Sequence, residues 1–294
     1  MSFWTLILKW LRLSDATNTT TTDTTTGKSD VSSSKSKKAV CIGINDYPGY
    51  QNDLKGCLND ARNWTSLLKS RYYFTDVKQL LDKDATKANI KKALTDLIKN
   101  AKTGDVLVVT YSGHGTSVKD TNGDEEDGRD EAICCYDGNM IDDEIRGIIA
   151  QLPQGAKLTF ISDSCHSGTV TRSFMSAMIE DNKSRPRYMP PEDDLDGAML
   201  ALLPLKKAIF YPEEDMREVL ISGCLPTEYS YDARIGGQST GAFSYYAIDI
   251  LKSAPKITYE DFYKKLRERL PSSAFPQTPQ LEGSKNSKDS LMFE

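Results

Sequence analysis

The chain has 294 residues, 38% hydrophobic and 27% charged, with a formal net charge of −5. That balance excludes a disordered or fibrous chain and suits one large domain or two small ones. Net negative charge argues against nucleic acid or an anionic membrane surface as the main partner.

The first residues, "MSFWTLILKWLRL", are apolar but broken by Lys9 and Arg12. The run is too short to span a bilayer and lacks a small-residue cleavage site, so no secretory signal is expected. Contact of this segment with a membrane stays open. Residues 15–38 are almost wholly Thr, Ser, Asp and Lys, too polar to offset their ordering entropy. They are expected to form a disordered linker, with the folded part starting near Lys38.

From there apolar strands alternate with amphipathic helices. "AVCIGI" (39–44) reads as a buried strand, and "DLKGCLNDARNWTSLLKSR" (53–71) repeats its apolar residues at helical spacing. A strand over 77–82 follows, then a helix over 85–101 with Thr86 as N-cap. Further strands are predicted over 105–112, 157–163 and 218–224, and helices over 142–152, 241–254 and 258–270. The pattern implies an α/β sandwich with a mostly parallel sheet. Residues 172–217, rich in charge and proline, read as a long surface segment between two halves of that sheet, with a short helix near "AMLALLPLKK".

Six cysteines form no CxxC pair, and two histidines are too few for a zinc site. Cys41, Cys57 and Cys224 sit in apolar segments and read as buried small hydrophobes. This usage fits a reducing, cytoplasmic compartment.

Strand 105–112 runs into Gly113-His114-Gly115, and strand 157–163 runs into Ser164-Cys165-His166. Ligands of open parallel sheets bind beyond such carboxyl ends. If the two strands are neighbours, His114 faces Cys165, whereas His166, next to it in an extended segment, points away. A cysteine nucleophile needs a base, and His114 is the candidate. Backbone N–H groups of Gly115 and Cys165 would form an oxyanion hole. Alternation brings Ser112 and Asp163 to the same cleft, where a buried carboxylate needs a cationic partner such as a substrate Arg or Lys. Structural roles for each of these residues remain open on pattern alone.

The segments "VCIGINDY", "LKGCLNDARNW", "YSGHGT", "DTNGDEEDGRDEAI", "IDDEI", "ISDSCHSG" and "LISGC" occur in that order. Together they resemble the caspase-like cysteine peptidases of clan CD, family C14, and among them the metacaspases and orthocaspases. The resemblance implies a caspase-like three-layer α/β sandwich, a mostly parallel central sheet flanked by helices. Residues 38–294 would form the peptidase domain, with a p20-like half over 38–171, a connecting segment over 172–217 and a p10-like half over 218–294. It implies a Cys165/His114 dyad cutting peptides or proteins after Arg or Lys, in a pocket made by Asp60, Ser112 and Asp163. Asp232 would complete one wall. It also implies a monomer, no organic cofactor, and calcium held by Asp130, Asp142 and Asp143. The acidic loop 120–131 is rich in hard oxygen ligands, but Arg172 stands where calcium-dependent members have a further aspartate. Self-processing within 172–217 is expected, with Arg172 as a candidate internal pseudo-substrate. The competing readings are a non-catalytic scaffold of the same fold and, more weakly, a calcium sensor.

Overall fold

The computed structural model describes residues 35–119, 129–165, 184–190 and 213–294. Their centre is a six-stranded sheet, built from β1 (Lys37–Gly43), β2 (Asp76–Leu81), β3 (Val106–Ser112), β7 (Lys157–Asp163), β9 (Glu218–Ser222) and β12 (Gln280–Glu282). The order is β12-β9-β7-β3-β1-β2, parallel throughout except that β12 runs antiparallel to β9.

Side-chain alternation explains the layering. In β1, Val40 and Ile42 enter one core cluster while Ala39 and Cys41 enter the other. Likewise Leu107 and Val109 of β3 face the first and Val106 and Val108 the second. Helices α2 (Lys87–Lys99) and α3 (Asp142–Ile149) cover the first face with Ile90, Leu94 and Ile148. On the opposite face lie α1 (Cys57–Tyr72), α4 (Ala242–Ser253) and α5 (Tyr259–Arg267), contributing Trp64, Phe243 and Phe262. Strand β3 is buried along its whole length, which is why it reads as one apolar run. Thr86 does cap α2, its hydroxyl accepting from the Asn89 N–H.

Several expectations change. The helix predicted from residue 53 begins at Cys57, because residues 53–56 form a turn whose backbone is bound elsewhere. Asp130 and Glu131 belong not to a loop but to β5 (Arg129–Cys135), in an antiparallel sheet with β4 (Gly115–Lys119) and β6 (Gly138–Ile141). The segment expected on the surface is not wholly there: Pro186, Arg187 and Tyr188 are buried. There β8 (Ser184–Pro186) pairs with β10 (Tyr231–Ile235), which in turn pairs with β11 (Gln238–Gly241). The N-terminal segment and linker, the helix expected near 198–207, and most of the 120–131 loop fall outside the described residues. Among the described residues no helix is long and apolar enough to cross a membrane.

Trp64, 1% exposed, joins α1 to the sheet and donates its indole N–H to Ser244 Oγ at 3.3 Å. Trp64→Ala should lower the unfolding free energy by about 3–5 kcal/mol. Urea denaturation checks this, and a loss under about 1 kcal/mol would mean that the α1 face is not the close-packed layer described.

Candidate active site

Strands β3 and β7 are parallel neighbours with Ser112 opposite Asp163. Two residues further along each, His114 and Cys165 leave the same edge of the sheet. Cys165 is fully buried and His114 is 3% exposed. The nucleophile and base expected from sequence are thus brought to one place, while His166 lies outside the described residues.

What covers them is the chain itself. Residues 184–190 lie along this edge as an extended strand. The carbonyl oxygen of Arg187 accepts from Gly115 N at 3.0 Å and from Cys165 N at 3.2 Å, the two donors expected to form the oxyanion hole. Arg187 N donates to Ser230 O at 2.9 Å, and Met189 N to Gly115 O at 2.9 Å. Arg185 donates to the Gln51 and Asp53 carbonyls.

The Arg187 side chain fills a closed acidic pocket. Its guanidinium pairs with Asp60 at 2.6 Å, Asp163 at 3.0 Å and Asp232 at 3.0 Å, and donates to the Asp163 carbonyl at 3.1 Å. None of these bonds goes to Ser112, which is buried on the adjoining strand. Two of the three expected pocket residues therefore bind the cation directly, and Asp232 is the third ligand. The occupant is Arg187, in place of the expected Arg172, which lies outside the described residues.

One cation against three carboxylates leaves two negative charges uncompensated. Backbone N–H groups supply the rest. Asp232 accepts from Lys55 N and Gly56 N, just ahead of α1. Asp60 accepts from Gly241 N, and Asp163 from Ser244 N, both at the start of α4. Two helix N-termini thus converge on the pocket, where their unpaired donors and dipoles favour anions. Gly241 must be glycine, since a Cβ there would collide with Asp163 and Arg187. Burial would lower the guanidinium's pKa, but the carboxylates, Asp163 foremost, hold it well above its ordinary value. Burial also pushes the Asp60 carboxyl up to about 6, against the pull of Arg187 and Thr240.

The base is oriented by its neighbours. His114 Nε2 lies 2.7 Å from the Asn52 carbonyl oxygen. That acceptor requires a proton on Nε2, which leaves the lone pair on Nδ1. Nδ1 is buried and has no hydrogen-bond partner among the described residues. Tyr47 packs against the ring at 4.8 Å and its hydroxyl accepts from His114 N. Cys165 Sγ accepts from Ser230 N and donates weakly to Ser230 O at 3.4 Å, and it makes no hydrogen bond to His114. Asn52 and Ser230 act through backbone atoms, so no side-chain pattern could have announced them. Asp232 was visible only as a wall.

The expected calcium ligands fare differently. Asp130 is buried on β5, and Asp142 pairs with Arg146 at 2.5 Å. Burial, partly offset by Arg146, raises the Asp142 carboxyl, with Glu131 and Asp143 adding to the rise. Among the described residues no three His, Cys, Asp or Glu side chains converge as a metal requires, and residues 120–128 of the acidic loop lie outside the described residues.

Residues 37–173 match the family described as "Metacaspase, peptidase C14 domain". The chain is 35% identical to Metacaspase-1 of Debaryomyces hansenii, over 87% of this chain and 67% of that protein. It is 33% identical to Metacaspase-1 of Scheffersomyces stipitis, over 87% and 73%. Among solved structures, a Geobacter sulfurreducens protein superposes with a TM-score of 0.66 at 28% identity, covering 88% of this chain and 98% of that one. Caspase-1 of Spodoptera frugiperda superposes at 0.55 and 11% identity, covering 85% and 87%, a likeness of fold alone.

Burial pushes the His114 imidazole down to about 4, with the charges of Arg187 and Arg185 adding to the shift and the Asn52 carbonyl opposing it. The unfolded chain, near ~6.5, binds the proton first. This residue's contribution to stability is therefore present above ~6.5 and lost as pH falls through 4. With only two histidines in the chain, NMR of labelled imidazoles in Cys165→Ala should find one titrating near 4 and vanishing in Cys165→Ala/His114→Gln. Two histidines both titrating near ~6.5 would contradict the buried, strand-covered site.

Proposed function

The chain belongs to the metacaspase family of cysteine peptidases, and from that premise we propose an endopeptidase cutting after Arg or Lys through Cys165 and His114. The observation that carries this reading is Arg187. Its guanidinium lies among three carboxylates while its carbonyl oxygen meets two converging N–H groups. A substrate residue would need the same two contacts at once. The planar, bidentate guanidinium suits such a pocket better than a lysine ammonium.

The chemistry follows from the positions. His114 Nδ1 takes the Cys165 thiol proton as the sulfur turns from Ser230 onto the substrate carbonyl carbon. Negative charge developing on the oxygen is met by Gly115 N and Cys165 N. His114 then protonates the leaving amine, and water hydrolyses the thioester to regenerate the thiol. Asn52 holds the imidazole tautomer throughout.

The same reading makes Arg187–Tyr188 the bond for self-processing. Its carbonyl already lies in the oxyanion site, and an intact strand there excludes other substrates. Calcium is taken as an activator, with Asp130, Asp142 and Asp143 and the acidic loop as its expected ligands, and no step runs through it.

The test uses fluorogenic Ser-Arg-Pro-Arg and Ser-Arg-Pro-Asp peptides, which copy the strand over the site, with calcium and with chelator. Cleavage should be confined to the Arg peptide and absent in Cys165→Ala. Asp163→Asn should lower kcat/KM about a hundredfold or more, the cost of a lost buried charge pair. Chelator should lower the wild-type rate, and an unchanged rate removes calcium. N-terminal sequencing after incubation should find a new chain starting at Tyr188 in wild type but not in Arg187→Gln. Equal cleavage by Cys165→Ala, or none by any form including one lacking the covering strand's Arg187, would favour the non-catalytic scaffold.

A further inference from the structure

A second cysteine stands beside the nucleophile with no part in the chemistry above. Strands β7 and β9 are parallel with Ser162 opposite Ser222. Two residues on, Cys224 comes level with Ser164, and Cys224 Sγ donates to the Ser164 carbonyl at 3.5 Å. Cys224 and Cys165 belong to one buried cluster with Tyr188, Tyr229, Tyr231 and Ala242. The Cys224 thiol's own hydrogen bond to Cys165, foremost, together with burial, holds it well above its ordinary pKa. The two sulfurs therefore face each other. All six cysteines are free, and a spacing of ~4.8 Å between neighbouring strands combined with a one-residue offset of ~3.3 Å gives a Cα separation of about 6 Å, inside the ~4.4–6.8 Å range that a disulfide bridges.

We propose that Cys224 is a resolving cysteine, which forms a reversible disulfide with Cys165 when hydrogen peroxide oxidises the open active site. The proposal rests on Cys165 being the nucleophile. With Arg187 and Tyr188 in place Cys165 is fully buried, and Tyr188 is part of the wall over both sulfurs. Departure of that strand opens the pair. The Cys165 thiolate attacks one peroxide oxygen, the O–O bond breaks, and hydroxide leaves to be protonated to water. Cys224 sulfur then attacks the Cys165 sulfenic acid. The S–S bond forms, the S–O bond breaks, and the departing hydroxide takes the Cys224 proton as a second water. Two thiols lose two electrons and one peroxide gains them. Cys165 is thereby kept off the irreversible path to sulfinic acid.

The experiment treats self-processed full-length protein with peroxide and maps its cysteine peptides without reductant. A Cys165–Cys224 cross-linked peptide is expected, absent before treatment and lost on adding dithiothreitol. Arg-peptide hydrolysis should fall at least about tenfold and recover by about half or more with dithiothreitol. Before treatment Cys224→Ser should still hydrolyse the Arg peptide; after it, the variant should lose activity in the same proportion as wild type and recover less than about a tenth, with Cys165 found as sulfinic acid. A linear Cys165 peptide in treated wild type, pairing of Cys165 with another cysteine, or full recovery of Cys224→Ser would overturn the proposal. Peptide mapping decides the disulfide even if no Arg peptide is cut, an outcome that would sink the peptidase reading separately.

Discussion

A single buried guanidinium organises this end of the molecule. Arg187 is bound by carboxylates from α1 (Asp60), from the end of β7 (Asp163) and from β10 (Asp232). These belong to both halves of the chain, and the cation comes from the segment between them. Placing an ion cluster in a low-dielectric interior is expensive unless nearly every lone pair and proton is matched. Here the matching comes from α1 and α4, whose first backbone N–H groups point at the same carboxylates. The helices are thus aimed at the pocket by electrostatics as well as packed on the sheet by apolar area. The glycine at 241 follows, because the α4 N-terminus must approach both ions closely.

This arrangement ties recognition to restraint. A pocket of three buried carboxylates is unfavourable without a cation, so something cationic will hold it until displaced. The covering strand meets that need and lays its carbonyl on Gly115 and Cys165. It also leaves the thiol hydrogen-bonded to Ser230 and the imidazole neutral, with its burial favouring the uncharged form. Opening the site would change all three conditions together. Water would reach His114, the acidic pocket would need a new partner, and the two facing sulfurs would become accessible.

Much of this was legible in the residues. The strand ends at His114 and Cys165 were visible because β3 and β7 are buried on both faces and read as unbroken apolar runs. Local chemistry also carried the α2 cap at Thr86, since a side-chain cap is a contact between near neighbours. Asp163 could be placed beside the nucleophile from alternation alone, and Asp60 from family resemblance. Less was legible where strands are short and half polar. The start of β5 looked like the end of the acidic 120–131 loop because its residues pair with a strand of equally mixed composition. Alternation placed Ser112 in the cleft, yet the cation is held without it.

The sequence by itself determined the α/β layering, the strand ends that bring His114 and Cys165 together, and the choice of these two as candidate base and nucleophile. Each of these depends on periodicity or on residues close along the chain. Only the tertiary structure decided that Arg187 takes the acidic pocket, that Asp232 is its third ligand, that Asn52 sets the His114 tautomer, and that Cys224 faces Cys165. These contacts join residues 24 to 127 positions apart along the chain. Three of them run through backbone carbonyls, which every residue possesses. Composition and spacing do not encode which backbone group meets which side chain. That is settled when burial forces each charge and each polar atom to find a partner.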